Sequence, residues 1–185
     1  LGELENYDWL HLHHEDFTGQ YGKFYRSHHS AQWYKDQKRQ FEEMAIKLGY
    51  SSVHEQKKGV ARLIKNFVGN GGFLFAMCSA TDSFDIALAM GNTDGVHSVF
   101  DGTPIDKNIH QNLDYKQCFA FDDFKLMTDP MIYEFSDIDN PPSHNPITRG
   151  AQADYFSLFE FSAKYDPVPT MLTQNPVSYT HLRAH

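Results

Sequence analysis

Cys78 stands directly after a continuous apolar run, Phe73 to Met77, and just before a stretch of helical character that begins at Thr81. A cysteine so placed is carried on a tight strand-to-helix turn, the geometry of a nucleophile elbow, which lifts a side chain clear of the sheet. The backbone doubles back at such a turn, so small residues must flank it. Ala76 and Ala80, two before and two after, satisfy that need. The start of the helix favours the thiolate, and the Ser79 amide points where an oxyanion would form. Gly72, at the entry to the apolar run, joins Ser79 as a binding candidate. The opposing interpretation makes Cys78 a small buried hydrophobe, a common fate of free cysteine. Cys118, in an aromatic-rich run with no such context, is expected to be core packing.

The second reactive group is His11-Leu-His-His-Glu-Asp16, at the end of a short β-favouring run from Asp8 to His13. On a strand His11 and His13 share one face, while His14, Glu15 and Asp16 enter the following loop. In an open α/β sheet the parallel strands end at one edge, and ligands bind in the crevice outside it. His13 or His14 would then face Cys78 and tune it, with Glu15 and Asp16 as neighbouring binding groups. Two other readings stand beside this one. Imidazoles two apart on a strand can converge on zinc, and His11, His13 and Asp16 resemble the metal loop of metallo-β-lactamase-type hydrolases. The histidines can also be structural, anchoring the aromatic loop that follows. His97, His110 and His144 have no diagnostic ligand spacing, and the turn from Asp137 to Pro142 has no recognised calcium pattern.

These groups need elements to hold them. From Ala31 to Leu48, Phe41, Met44, Ala45 and Leu48 fall at helical spacing, and Gly49 ends the stretch. Ser52-Val-His-Glu55 is a capping box and opens a second helix. Its positions Val60, Leu63, Ile64, Phe67 and Val68 should face the core, leaving Lys57, Lys58, Arg62 and Lys65 in water. Gly69 to Gly72 ends that helix, and Phe73 to Met77 reads as a strand buried on both faces. A third helix is expected from Thr81 to Met90, with Phe84, Ala87 and Leu88 inward and Asp82 at its positive end. Weaker strand candidates are Gln117 to Phe121, Met131 to Phe135 and Tyr155 to Ser162. Strand, helix, helix, strand, helix with short connections predicts an α/β fold with a parallel sheet.

At 185 residues, 41% hydrophobic, 15% aromatic and 22% charged, the chain has the composition of one globular domain. A net charge of −8 repels phosphate backbones and anionic lipid, which argues against nucleic-acid and membrane partners. No apolar run approaches the roughly 20 residues of a membrane helix. The chain starts at Leu1 and is expected to be a fragment cut at both ends: one domain over 1–175, then a non-native tail over 176–185 that reads as a translated sequencing adapter.

Ile64-Lys-Asn-Phe-Val-Gly-Asn-Gly-Gly-Phe-Leu-Phe-Ala-Met-Cys-Ser-Ala80 resembles the elbow segment of class I glutamine-amidotransferase-like domains. Asp8-Trp-Leu-His-Leu-His-His-Glu-Asp-Phe-Thr-Gly-Gln20, Cys78-Ser-Ala-Thr-Asp-Ser-Phe-Asp-Ile-Ala-Leu88 and Phe161-Ser-Ala-Lys-Tyr-Asp-Pro-Val-Pro-Thr-Met-Leu-Thr173 are similar to a bacterial family labelled asparagine synthetase B. The resemblance runs from about Tyr7 to Asn175. It implies a flavodoxin-like parallel sheet with helices on both faces, incomplete in this chain. It also implies a small-molecule substrate and thioester chemistry at Cys78 on its amide or related carbonyl, with no cofactor. The family's usual Gly-x-Cys-x-Gly reads Ala76-Met-Cys-Ser-Ala80 here, and the family's His and acidic partner would lie beyond Asn175. The Ser-Gly-Gly nucleotide motif of true asparagine synthetases does not occur, so that activity is not expected. The alternatives are a non-catalytic member of the fold that binds a small or sugar-like ligand, and a zinc-dependent hydrolase built on His11, His13 and Asp16.

Overall fold

The computed structural model describes residues 3–138. Two parallel strands, β1 (Trp9–His13) and β2 (Phe73–Met77), pair in register from Trp9 opposite Phe73 to His13 opposite Met77. Between them lie a short helix α1 (Tyr25–His28) and two long ones, α2 (Gln32–Lys47) and α3 (Val53–Gly69). β2 runs into α4 (Ser79–Ala89), followed by the short helices α5 (Ser98–Asp101) and α6 (Ile109–Asn112). The arrangement is α/β, with a parallel sheet of two strands among the described residues.

Alternation along the strands decides which face is covered. Leu10, Leu12, Leu74 and Ala76 turn to one side and pack with Ala61 and Ile64 of α3 and Ala80, Phe84 and Leu88 of α4. The other side carries Trp9 edge-on to Phe73 and His11 against Phe75, with ring centroids 5.6 and 5.1 Å apart. β2 is therefore not buried on both faces as its apolar run suggests, since Phe73 is 54% exposed.

α3 starts as its sequence dictates: the Ser52 hydroxyl accepts from the Glu55 amide at 3.1 Å. The Glu55 carboxylate takes an ion pair with Lys58 at 2.6 Å. Lys58 thereby leaves the solvated face expected for it and is buried, its ammonium also donating to the Thr93 carbonyl. In the same helix Ile64 and Phe67 are buried, whereas Leu63 is exposed. α2 departs further from its apolar stripe. Ala45 and Tyr34 are buried, but Phe41, Met44 and Leu48 are exposed, because it is Tyr34 and Ala45 that cluster with Tyr21, Val53 and Phe100. α4 begins two residues earlier than its periodicity indicates and is buried on nearly every side, its polar residues Asp82, Ser83 and Asp85 included.

Two of the weaker strand candidates are not strands. Over 118–121 the chain wraps the Asp85 carboxylate, which accepts from the Phe119, Ala120 and Phe121 amides at 2.7–2.9 Å. Met131 to Phe135 is irregular, with a lone antiparallel bridge between Leu126 and Ser136 beside it. Tyr155 to Ser162, His144 and the tail over 176–185 lie outside the described residues.

Buried His54 locks α3 to the loop after β1. Its Nδ1 donates to the Thr18 carbonyl at 3.1 Å. Burial first, then the Lys58 ammonium, hold the imidazole below its usual 6.5, while Asp94, the Thr18 carbonyl and Glu55 pull the other way. The unfolded chain therefore takes this proton more readily than the folded one. Stability from His54 should be present above about pH 6.5 and fall away as the pH drops below it. Urea unfolding across that range should show the decline in the native protein and a flatter profile in His54→Gln.

Candidate functional site

In-register parallel pairing sets the ends of β1 and β2 at one level, with His13 opposite Met77. The next residue on each strand, His14 and Cys78, takes a positive φ, of 66° and 53°. That conformation costs non-glycine residues on the order of 1–3 kcal/mol and persists where the surroundings enforce it. Cys78 is also the N-cap of α4, so its thiol is presented on a strained strand-to-helix turn. The thiol is exposed, unlike that of Cys118, which is buried and donates to the Asp85 carbonyl at 3.3 Å.

The turn is tied in from both sides. The Cys78 carbonyl accepts from the Thr81 amide at 2.9 Å and the Thr81 hydroxyl at 2.8 Å. Ala80 is fully buried against Leu12 and Ala61, so a larger side chain there would push α4 off the sheet.

His13, His14 and Cys78 come together. One ring nitrogen of each histidine and the Cys78 sulfur all lie within 4.8 Å of one another, and all three residues are exposed. The two imidazoles are 3.9 Å apart between centroids. Among the described residues no other trio of His, Cys, Asp and Glu converges in this way. The zinc set His11, His13 and Asp16 is therefore not assembled. His11 sits two residues back along β1 against Phe75, and Asp16 is engaged by the loop.

The acidic pair organises backbone. The His13 amide donates to the Glu15 carboxylate. Asp16 accepts from the Thr18 amide and hydroxyl at 2.7 and 2.6 Å and from the Gly22 amide at 2.9 Å, closing the loop on itself. Gly72 lies at the opposite end of β2, about 20 Å of extended strand from Cys78. A Cβ there would meet the Phe67 ring at 2.3 Å, so the glycine serves close packing. A groove lined by Tyr7, Asp8, Phe67, Asn70 and Gly72 lies at that same end. Ser79, by contrast, opens α4 next to the thiol, among the first-turn amides that have no carbonyl one turn back.

One positioning residue escapes sequence reasoning. Ser83, fully buried on α4, donates its hydroxyl to the Glu15 carbonyl at 2.9 Å and accepts from the Phe17 amide at 3.3 Å. It pins the His14 loop to the helix that carries Cys78. No sequence signal singles it out, because Asp82 and Asp85 flank it in the same helix, and only the fold shows that its hydroxyl is the one that reaches the Glu15 loop.

No protein-family model, curated protein or solved structure matches the chain.

Iodoacetamide should modify Cys78 in the native protein and reach Cys118 only after unfolding, read by peptide mass spectrometry. Ser83→Ala leaves a buried carbonyl and amide without the shared hydroxyl, so it should lower unfolding stability by about 1–3 kcal/mol. An unchanged urea midpoint would remove Ser83 from the positioning role.

Proposed function

We propose that Cys78 is the nucleophile of amidotransferase-like chemistry on an amide or related carbonyl substrate, on a flavodoxin-like sheet to which β1 and β2 belong. The observation that carries this reading is the backbone at Cys78. A non-glycine residue at φ 53° between a parallel strand and the helix it caps, with its thiol exposed, is the stereochemistry of a nucleophile elbow.

In this mechanism an imidazole of His13 or His14, within 4.8 Å of the sulfur, takes the thiol proton. The thiolate attacks the amide carbon; a C–S bond forms, and the carbonyl π pair moves to oxygen. The Ser79 amide at the head of α4 faces that oxyanion, and the helix dipole favours its charge. The proton then passes from imidazole to the leaving nitrogen, the C–N bond breaks, ammonia departs and a thioester remains for water to hydrolyse. No helix among the described residues is long and apolar enough to cross a membrane.

A glutamine analogue with a thiol-directed electrophile in place of its amide tests the reading. It should label Cys78 and not Cys118, and free glutamine should slow the labelling. His13→Ala/His14→Ala should slow it by about 10²-fold, the lower end for a lost general base. Labelling of Cys78 by iodoacetamide but not by the analogue would mean an accessible thiol without an amide site, and would overturn the proposal.

A further inference from the structure

His13, His14 and Cys78 combine two imidazoles and one thiol, with no carboxylate among the three converging groups. We propose that this trio is a binding site for a borderline-soft divalent cation, Zn²⁺ above all, with the fourth position open to water. The inference stands on the juxtaposition of the three side chains and holds whether or not Cys78 attacks amides.

The donor set selects the ion. Thiolate and imidazole suit Zn²⁺ and its neighbours among the later transition metals, whereas Mg²⁺ and Ca²⁺ require oxygen ligands. Two nitrogens and one sulfur leave one tetrahedral position free, as in sites where zinc keeps a water. The spacing is close to what the ion needs. Tetrahedral bonds of about 2.0–2.3 Å place donor atoms roughly 3.3–3.6 Å apart. Donors already within 4.8 Å reach that separation by side-chain rotation, and all three residues are exposed and free to rotate into place.

The backbone holds this arrangement before any ion arrives. His13 is the last residue of β1, fixed opposite Met77, and His14 and Cys78 both take a positive φ one step beyond. The His13 amide is tied to the Glu15 carboxylate, and the Glu15 carbonyl to Ser83. Only side-chain freedom remains to be lost on binding. In the binding step the ion forms a Zn–S bond as the Cys78 S–H bond breaks and its proton leaves to water. Each histidine contributes a ring-nitrogen lone pair, so both must be neutral. The bound sulfur is then unavailable to alkylating reagents.

Cobalt(II) titration of the whole chain tests the site. One ion per chain should produce a near-ultraviolet thiolate-to-cobalt charge-transfer band and intense tetrahedral visible bands, both displaced by Zn²⁺ and untouched by Mg²⁺ or Ca²⁺. Cys78→Ser should abolish the charge-transfer band. His13→Ala and His14→Ala should each weaken binding by more than the roughly 10–100-fold that loss of an outer-shell partner costs. His11→Ala should leave it unchanged. Zn²⁺ should protect Cys78 from iodoacetamide in the native chain, and a chelator should restore its modification. Absence of the bands, their persistence in Cys78→Ser, or loss in His11→Ala equal to that in His14→Ala would each overturn the proposal. Cobalt bands, with no labelling of the chelator-treated, metal-free chain by the glutamine analogue, would leave the metal site standing and remove the amide chemistry.

Discussion

Parallel pairing of β1 with β2 is the constraint on which the rest of this structure depends. Parallel neighbours cannot be joined by a tight turn, so the chain must make a long excursion and return, and α2 and α3 are that excursion. A pair of strands alone is marginal in water. This pair is held because Leu10, Leu12, Leu74 and Ala76 press onto α3 and α4. In-register pairing then brings residues 64 positions apart, His14 and Cys78, to neighbouring places at one edge. A shift of one residue would turn the leucines away from the helices and the histidines toward them. The register that buries the core is also the one that assembles the site.

Around this sheet the chain resolves its long loops by sinking polar groups into them. One carboxylate, Asp85, gathers three successive amides of the segment after Cys118, and Asp16 gathers two amides and a hydroxyl of its own loop. Lys23 is buried with its ammonium donating to the Met127 carbonyl at 2.7 Å. Burial draws that ammonium down to about 8, against the pull of Asp16, Asp129 and Glu134. Each of these groups replaces a regular ladder with one side chain, which lets segments poor in secondary structure pack tightly.

What was legible in the sequence follows from how local each signal is. The two strands, the Ser52 cap and the turn at Cys78 are written in contiguous residues, and the structure contains them. The meeting of His13 and His14 with Cys78 was legible because parallel strands share an edge. Periodicity misplaced the buried side of α2, since it reports which face is apolar and not what packs there; Tyr34 and Ala45 face a partner while Met44 does not. Lys58 and Asp85 were illegible as interior residues, because their burial is decided by distant partners, the Thr93 carbonyl and the 119–121 amides. The same cause hid Ser83. The pairing of His13 with His11 and Asp16 overvalued sequence spacing against the register, which favours Cys78 on the adjoining strand.

The positive φ at His14 and Cys78 sets folding and chemistry against each other. Glycine at either position would adopt the same φ without its steric penalty, releasing part of the roughly 1–3 kcal/mol held there, and would delete the imidazole or the thiol in doing so. Selection for durability alone would thus erode this edge, the stability–activity trade-off in its simplest form. Libraries screened for thermal tolerance should be read with that in mind, because their winners at these two positions would be sturdier proteins with a blank rim.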